Sequence, residues 1–399
     1  MIQRDSEALL RRYAGQFPVV TVTGPRQSGK TTLCRSTFPE MSYVSLEDPD
    51  NREFADSDPR GFFKHYAQGA ILDEVQRTPQ LASYLQRMVD DDPRPGRFIL
   101  TGSQHLGLVQ SVSQSLAGRS ALLELLPLTL AEVRRFDNAP QELNEVMWTG
   151  GYPAIFERRV GVREWLSAYI SLYLERDVRQ IKQISDMRLF QIFLRLCAGR
   201  VGQLLNLSGL GADVGVSHNT ANSWLSVLEA SYLAFQVSPW FANIGKRLTK
   251  APKLYFYDTG LVCRLLGIET ADQLATHPLR GALLENWVVS EVAKHFRNRG
   301  LQPNIWFYRD RNGLEVDMLL QIAGRFHALE VKSAQTISSS WFDPLLKFQS
   351  LVAPLPELGN STTLWLLFGG DQGQQRSHAA VVPWHGLEQS LFQALDVAR

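Results

Sequence analysis

Residues 19–33, VVTVTGPRQSGKTTL, run a β-branched apolar stretch straight into a loop framed by two glycines and closed by a lysine and two threonines. This stretch constrains the fold more than any other. Gly24 through Thr31 fits G-x-x-x-x-G-K-[ST] in full. In that pattern the glycines let backbone N–H groups curl around phosphate, the lysine reaches the β/γ-phosphates, and the final hydroxyl ligates Mg²⁺. The flanking pattern predicts a strand over Val19–Thr23 and a helix over Lys30–Ser36, which makes the loop the first turn of an α/β unit. The expected ATP-binding set is Gly24, Pro25, Arg26, Gln27, Ser28, Gly29, Lys30, Thr31 and Thr32.

A second strand signal, Ala70–Leu72, ends in Asp73-Glu74. A carboxylate at the carboxyl end of a parallel strand can hold Mg²⁺, and its neighbour can orient the attacking water. Asp73 is therefore expected at the metal and Glu74 as base or water-positioner. Between loop and acid there is room for one more strand, Met41–Glu47. A further strand, Arg97–Ser103, ends in Thr101 and Ser103, which can sense the γ-phosphate or cap a helix. Arg119, just before the next apolar strand, can complete a neighbouring subunit's site as a finger or can pair at the strand edge. The finger reading requires a homo-oligomer.

The ordered set TGPRQSGKTTL, ILDEVQ, FILTGSQ, LAGR, LLPLTLAEV and GGYPAIF resembles the AAA-type ATPases. More narrowly it resembles a prokaryotic family that joins such an ATPase to a carboxy-terminal domain of unknown function. The later pieces KLYFYDTGL, ENWVVSEV, EVDMLL and LEVKS extend the match. The resemblance implies ATP and Mg²⁺ as cofactors. In the expected lid, Arg158, Arg159 and Arg176 all remain open as a second arginine sensor.

From Arg163 to Lys182, apolar residues Trp165, Leu166, Tyr169, Ile170, Leu172 and Tyr173 recur at helical spacing, a helix packed on the ATPase core. Next, a short helix (Leu207–Val214), a turn at Gly215 and a Ser217-capped helix with inward Ala221, Leu225 and Leu228 form a helix-turn-helix pattern. His218, Asn219, Thr220, Asn222 and Ser223 fall on its exposed face and offer hydrogen bonds to base edges. That helix has no Arg or Lys for phosphates. Residues 230–257 contain no acid, however, while Lys246, Arg247, Lys250 and Lys253 cluster there like a basic wing. Winged helices also dock proteins.

In GLEVDMLLQIAGRFHALEVKSA two strands are joined by a turn at Ala323-Gly324-Arg325. Residues two apart share a face, so Glu315 projects with Asp317 and Glu330 with Lys332. Antiparallel pairing brings three carboxylates and a lysine together, a set suited to Mg²⁺ and phosphodiester attack. The pattern is similar to the PD-(D/E)XK nuclease core, with Asp317 as its aspartate and Glu330-Val331-Lys332 as E-x-K. The resemblance implies Glu285 as the helical acid, and Val316 departs from its proline. Arg309 and Arg311 can bind phosphate or cap the acids. His327 is expected to face the other side as a structural residue.

Composition sets the outer limits. The chain has 399 residues, 44% of them hydrophobic, and a formal net charge of +1, so a nucleic-acid surface must come from local charge segregation. Three widely spaced cysteines suit a reducing compartment. The charged N-terminus shows no signal-peptide core and no apolar run approaches a membrane span, so a soluble cytoplasmic protein is expected. The expected fold class is α/β. It comprises an AAA-type P-loop core (1–135), a helical lid (136–185), a winged helix (186–275) and a nuclease-like α/β domain (276–399). The function this implies is ATP-dependent binding, remodelling or translocation on DNA, duplex or branched. The alternatives are an ATP-gated regulatory or defence switch that docks proteins, and an ATP-regulated Mg²⁺-dependent endonuclease.

Overall fold

The structure, a computed structural model, describes residues 2–102, 116–174, 186–241, 251–322, 325–354 and 362–397. Its first layer is a parallel sheet of β1 (Val19–Thr23), β2 (Ser42–Ser45), β3 (Ala70–Asp73), β4 (Phe98–Gly102) and β5 (Ser120–Glu124), in the order β2-β3-β4-β1-β5. Strands β1, β3 and β4 are buried along their whole length. That is why they read as unbroken apolar runs rather than alternating ones. Because β1 lies between β4 and β5 while the chain crosses to β2 at the far edge, a crevice opens at the carboxyl ends of β1 and β3. Ligands bind at such a switch point.

Beyond β5 the chain forms short helices. Of the helix expected over Arg163–Lys182, the described part is α-helical over Val162–Ala168 and widens into a π-helical stretch, Tyr169–Leu174; residues 175–182 lie outside the described residues. Leu166 and Tyr169 are buried as the pattern requires, whereas Leu172 is 63% exposed. The wider turn rotates Leu172 off the apolar stripe. Helices Leu207–Val214 and His218–Ala230 follow, joined through Gly215 at φ +84°. The Ser217 hydroxyl caps the second by accepting from the Thr220 N–H at 3.1 Å.

Strands β6 (Ala234–Pro239) and β7 (Lys253–Phe256) pair antiparallel after these helices. They are not a separate hairpin. Through Ser238 and Pro239, β6 also pairs parallel with β8 (Ile305–Arg309). The result is an eight-stranded sheet with β9 (Glu315–Ile322), β10 (Arg325–Lys332), β11 (Thr362–Phe368), β12 (Gln374–Gln375) and β13 (Ala380–Pro383), in the order β12-β13-β11-β10-β9-β8-β6-β7. Strands β8, β9 and β10 form an antiparallel meander, and β11 lies parallel to β10 after the helix Asp343–Val352. Arg325, expected in the turn, is the first residue of β10 and pairs with Ile322; Ala323 and Gly324 lie outside the described residues.

The long helix Arg280–Asn298 is buried along most of its length. One apolar cluster, running from Leu126 to Leu395, unites the residues after β5, the helical region, the β6/β7 pair and the second sheet. The first sheet keeps its own two cores, one on each face.

Candidate functional site

The loop after β1 is built around two backbone conformations. Gly24 has φ +148°, and a Cβ there would lie 2.1 Å from the Leu125 carbonyl oxygen; Gly29, at φ +93°, opens the helix Lys30–Thr37. Only glycine meets both demands cheaply. The buried Lys30 ammonium donates to the carbonyls of Gly24 (3.1 Å) and Pro25 (2.8 Å), keeping its charge inside the loop.

Opposite, Asp73 ends β3 beneath the helix start. The Thr31 hydroxyl donates to its two oxygens at 3.0 and 3.1 Å, the Tyr43 hydroxyl donates at 2.8 Å, and the Thr101 hydroxyl also donates to it. Three elements thus converge on a carboxylate carried by a fourth. Burial and the Asp73 contact push the Tyr43 phenol up to about 12, so it stays a proton donor. The Arg35 guanidinium lies 4.7 Å over its ring. Glu74 follows with φ +57°, a left-handed conformation uncommon for a side-chain-bearing residue, and accepts from the Gln76 amide.

Behind the loop stands Arg4. Its guanidinium donates to the Ser28 carbonyl (2.7 Å), the Leu126 carbonyl (2.8 Å) and the Glu132 carboxylate (2.8 Å). Glu132 is fully buried and closes a capping box with Thr129. Burial pushes the Glu132 carboxyl upward, but Arg4 and two backbone donors outweigh it and hold the carboxyl below the usual range.

A second constellation lies at the junction of β7, the long helix and the second sheet. Glu285 from the helix, Glu315 and Asp317 from β9, and Glu330 and Lys332 from β10 gather as the strand spacing requires. Lys332 pairs with Glu330, and the Val331 N–H donates to Asp317 at 2.8 Å. Lys253 of β7 enters the same space. Its ammonium lies 2.9 Å from Glu285 and 2.7 Å from Glu315. The Tyr255 hydroxyl adds a 2.6 Å bond to Glu285, and Arg309 lies 3.5 Å from Glu315. Burial, then the Asp317 charge, push Glu285 up to about 7 and Glu330 up to about 8. Among the described residues no group of three or more His, Cys, Asp or Glu side chains is placed to hold a metal ion.

Residues 16–134 match the family described as AAA domain. Residues 140–272 and 280–386 match two domains of unknown function, DUF8612 and DUF4143. Uncharacterised proteins of Mycobacterium tuberculosis and Mycobacterium bovis are each 35% identical over 344 residues, 85% of this chain and 75% of theirs. The chain belongs to their family of AAA-type ATPases. An uncharacterised protein of Methanocaldococcus jannaschii is 24% identical over 337 residues, 76% of this chain and 72% of the relative. Among solved structures, the Walker-type ATPase of Pyrococcus abyssi is similar with a TM-score of 0.47 at 15% identity, over 66% of this chain and 96% of that one. AMPPCP-bound DnaA from Aquifex aeolicus is similar with a TM-score of 0.30 at 12% identity, over 56% and 85%.

Membership of this ATPase family implies a bound nucleotide, and the loop suits one. The Ser28 hydroxyl is buried with no hydrogen-bond partner among the described residues, on the loop that would wrap the phosphates. Thr31 and Asp73, already in contact, form the all-oxygen pair a hard divalent cation takes. Thr101 joins them as a donor to Asp73. Arg119 is held by Asp90 at a half-exposed position before β5.

On helix His218–Ala230, His218, Asn219 and Asn222 are exposed, and Thr220 and Ser223 are half-buried. One expectation is corrected: Lys253 is not available to a DNA backbone, because only 2% of it is exposed and two carboxylates take its charge. Ser103, Arg176, Lys246, Arg247 and Lys250 lie outside the described residues. His327 is buried on the other face, accepts from the Trp365 indole N–H at 3.1 Å and is pushed down to about 4 by burial. No helix among the described residues is long and apolar enough to cross a membrane.

Two groups that brace the nucleotide site escaped the sequence reading. Arg4 lies on the segment before β1, and nothing local marks its reach across the loop. Tyr43 is a strand residue whose role depends on β2 lying beside β3. Away from that site, Asp258 was equally hidden: its carboxylate accepts from the Gly151 N–H (2.7 Å) and the Leu261 N–H (2.8 Å). It thereby joins the GGYP and DTGL motifs.

Proposed function

We propose that this ATPase binds ATP with Mg²⁺ at Lys30, Thr31 and Asp73, hydrolyses it with help from Glu74, and uses the cycle to bind and remodel or move along DNA, duplex or branched. The observation that carries the reading is the shared apolar core after β5. The loop is braced by Arg4 to Leu126 and Glu132, and Leu126 belongs to the core that holds helix His218–Ala230. A change at the phosphates thus has a packed route to the helix-turn-helix pair. Bound Mg²⁺ would supply charge neutralisation at the phosphates; Lys30 would hold the phosphate oxygens, and Thr101 would keep Asp73 oriented. With Arg119 as a finger acting in trans, the working form is a homo-oligomer.

A second reading, a nucleotide-gated switch that docks a protein, is favoured by one observation. Helix His218–Ala230 carries no Lys or Arg, and Lys253 is withdrawn into the carboxylate cluster. Steady-state ATP hydrolysis separates the two. It is measured without DNA and with linear duplex, single strand and a four-way junction at moderate salt. Stimulation by one of these structures supports the DNA reading and names the substrate class. A rate indifferent to all of them supports the docking switch.

A further inference from the structure

The resemblance to nuclease cores implies a divalent cation among Glu285, Asp317 and Glu330, and the geometry does not fit one. We infer that Lys253 is the permanent cation of this site, and that the cluster is an ion-pair joint fixing the β6/β7 pair to the second sheet rather than a cleavage centre. This inference is independent of whether the ATPase acts on DNA or on protein.

The position of the ammonium carries the argument. At 2.9 Å from Glu285 and 2.7 Å from Glu315 it stands between the helix and β9, the elements whose acids a metal would bridge. Mg²⁺ needs six oxygens at about 2.0–2.1 Å in near-octahedral order. A second cation beside a buried ammonium meets strong repulsion in a region of low polarisability. The lysine is also enclosed on its other side, 5.3 Å from the centroid of the Phe307 ring.

Nor is Lys253 placed to swing out. Its strand is held on both edges. Val237 of β6 pairs with Lys253, while the Gly202 N–H donates to Leu254 (2.8 Å) and the Leu205 N–H to Pro252 (2.7 Å) from the opposite side. Leaving the cluster would strand a buried ammonium or break the edge of the eight-stranded sheet. Charge balance points the same way: the cationic side chains of Lys253, Lys332 and Arg309 are already set among the four carboxylates, pairing Glu285, Glu315 and Glu330.

The test counts Mn²⁺ bound to the nucleotide-free full chain by paramagnetic resonance, for the wild type, Asp317→Asn and Lys253→Met, with thermal unfolding of each. The expected result is the same Mn²⁺ count and affinity in wild type and Asp317→Asn, because Asp317 holds no ion. Lys253→Met is expected to unfold about 5–10 °C lower and to gain one Mn²⁺. Loss of a bound Mn²⁺ in Asp317→Asn overturns the inference. So does Mn²⁺- or Mg²⁺-dependent cutting of plasmid, single strand or junction DNA by the wild type that Asp317→Asn abolishes. A folded Lys253→Met with unchanged melting overturns the joint. If Lys253→Met does not fold, the comparison of wild type with Asp317→Asn decides alone.

Discussion

The Arg4 guanidinium and the Glu132 carboxylate meet at 2.8 Å with both side chains almost fully buried, and the same guanidinium holds the carbonyl of Ser28 inside the phosphate loop. Three segments distant in sequence are therefore tied at one point: the N-terminal residues, the loop and the capping box after β5. Removing one member of a buried pair leaves the other charged and unpaired, at a cost of about 3–5 kcal/mol. Arg4→Met is expected to lower the melting temperature by several degrees and to raise the KM for ATP, since Ser28 loses its brace. Lowered stability with an unchanged KM would confine Arg4 to a structural part. The low Glu132 carboxyl sets the pH sign. Its stabilisation is present above the ordinary carboxylate range and is lost as pH falls through its folded value, so the gap between wild type and Arg4→Met closes under acid.

At the phosphate loop the expected outcomes separate binding from chemistry. Lys30→Ala removes the only lysine in the loop and should abolish tight ATP binding, read by fluorescent-nucleotide titration. Glu74→Gln keeps the loop and the Thr31–Asp73 contact, so binding should persist while kcat falls about 10²–10⁴-fold, the range for losing a general base. Chelating Mg²⁺ with EDTA should stop hydrolysis in the wild type. A Glu74→Gln enzyme with near-normal kcat would move the water-positioning role elsewhere.

Tyr43 makes a narrower prediction. Its hydroxyl bonds Asp73 at 2.8 Å from the neighbouring strand, so Tyr43→Phe removes one hydrogen bond to the Asp73 side chain. Such bonds contribute about 1.5–3 kcal/mol. Because Thr31 and Thr101 still hold Asp73, the loss should fall toward the lower end. It should appear as a higher half-saturating Mg²⁺ concentration for hydrolysis, with the melting temperature lowered by a few degrees at most. An unchanged Mg²⁺ titration would show that Asp73 needs no third donor.

What the sequence disclosed divides along a physical line. The loop, the Asp73-Glu74 pair, the Ser217 cap and the shared face of Glu330 and Lys332 are each set by residues within a few positions of one another, where spacing fixes geometry. Arg4, Tyr43 and Asp258 act across elements, and their partners are chosen by strand order and helix packing that a single chain of letters does not display. Lys253 shows the same limit from the other direction. In a stretch without acids it reads as a solvated cation, yet its counter-ions, Glu285 and Glu315, arrive from a helix and a strand far along the chain. The fold class was legible for the first sheet because its buried strands are continuous apolar runs. The strand pairing that joins β6 to the second sheet runs through Ser238 and Pro239 beside β8, and no local pattern announces that contact.

The carboxylate cluster should give stability an unusual pH slope. Burial and the Asp317 charge raise Glu285 and Glu330 above their unfolded values, so between about pH 5 and pH 8 these two groups bind more protons in the folded chain than in the unfolded one, while the lowered His327 works against them only at the acidic end. Their stabilisation is complete at the acidic end and is lost as pH rises through the folded values. The melting temperature is expected to fall by on the order of 5 °C across that window. Asp317→Asn removes a negative charge that raises both groups and should flatten the slope. A melting temperature that climbs steadily from pH 5 to pH 8, with the same slope in Asp317→Asn, would show that these carboxylates are ionised throughout.

Asp258 tests whether the GGYP and DTGL motifs work as one joint. The carboxylate is 4% exposed and receives two backbone N–H groups, from Gly151 and from Leu261. Gly150 beside it has φ +71°, and a Cβ there would come within 2.4 Å of the Asp258 carboxylate, so chain and acid fit only with glycine. Asp258→Ala leaves two buried donors unpaired, at about 1–3 kcal/mol each. Asp258→Asn keeps one acceptor and turns an N–H toward the other donor, so it should be damaging as well, though less than alanine. Gly150→Ala should destabilise by adding a clash to a left-handed backbone. If the two motifs form one joint, the double variant Gly150→Ala/Asp258→Ala loses less than the sum of the single variants, because the clash disappears with the carboxylate. Strict additivity of the melting shifts would mean that the motifs are stabilised separately.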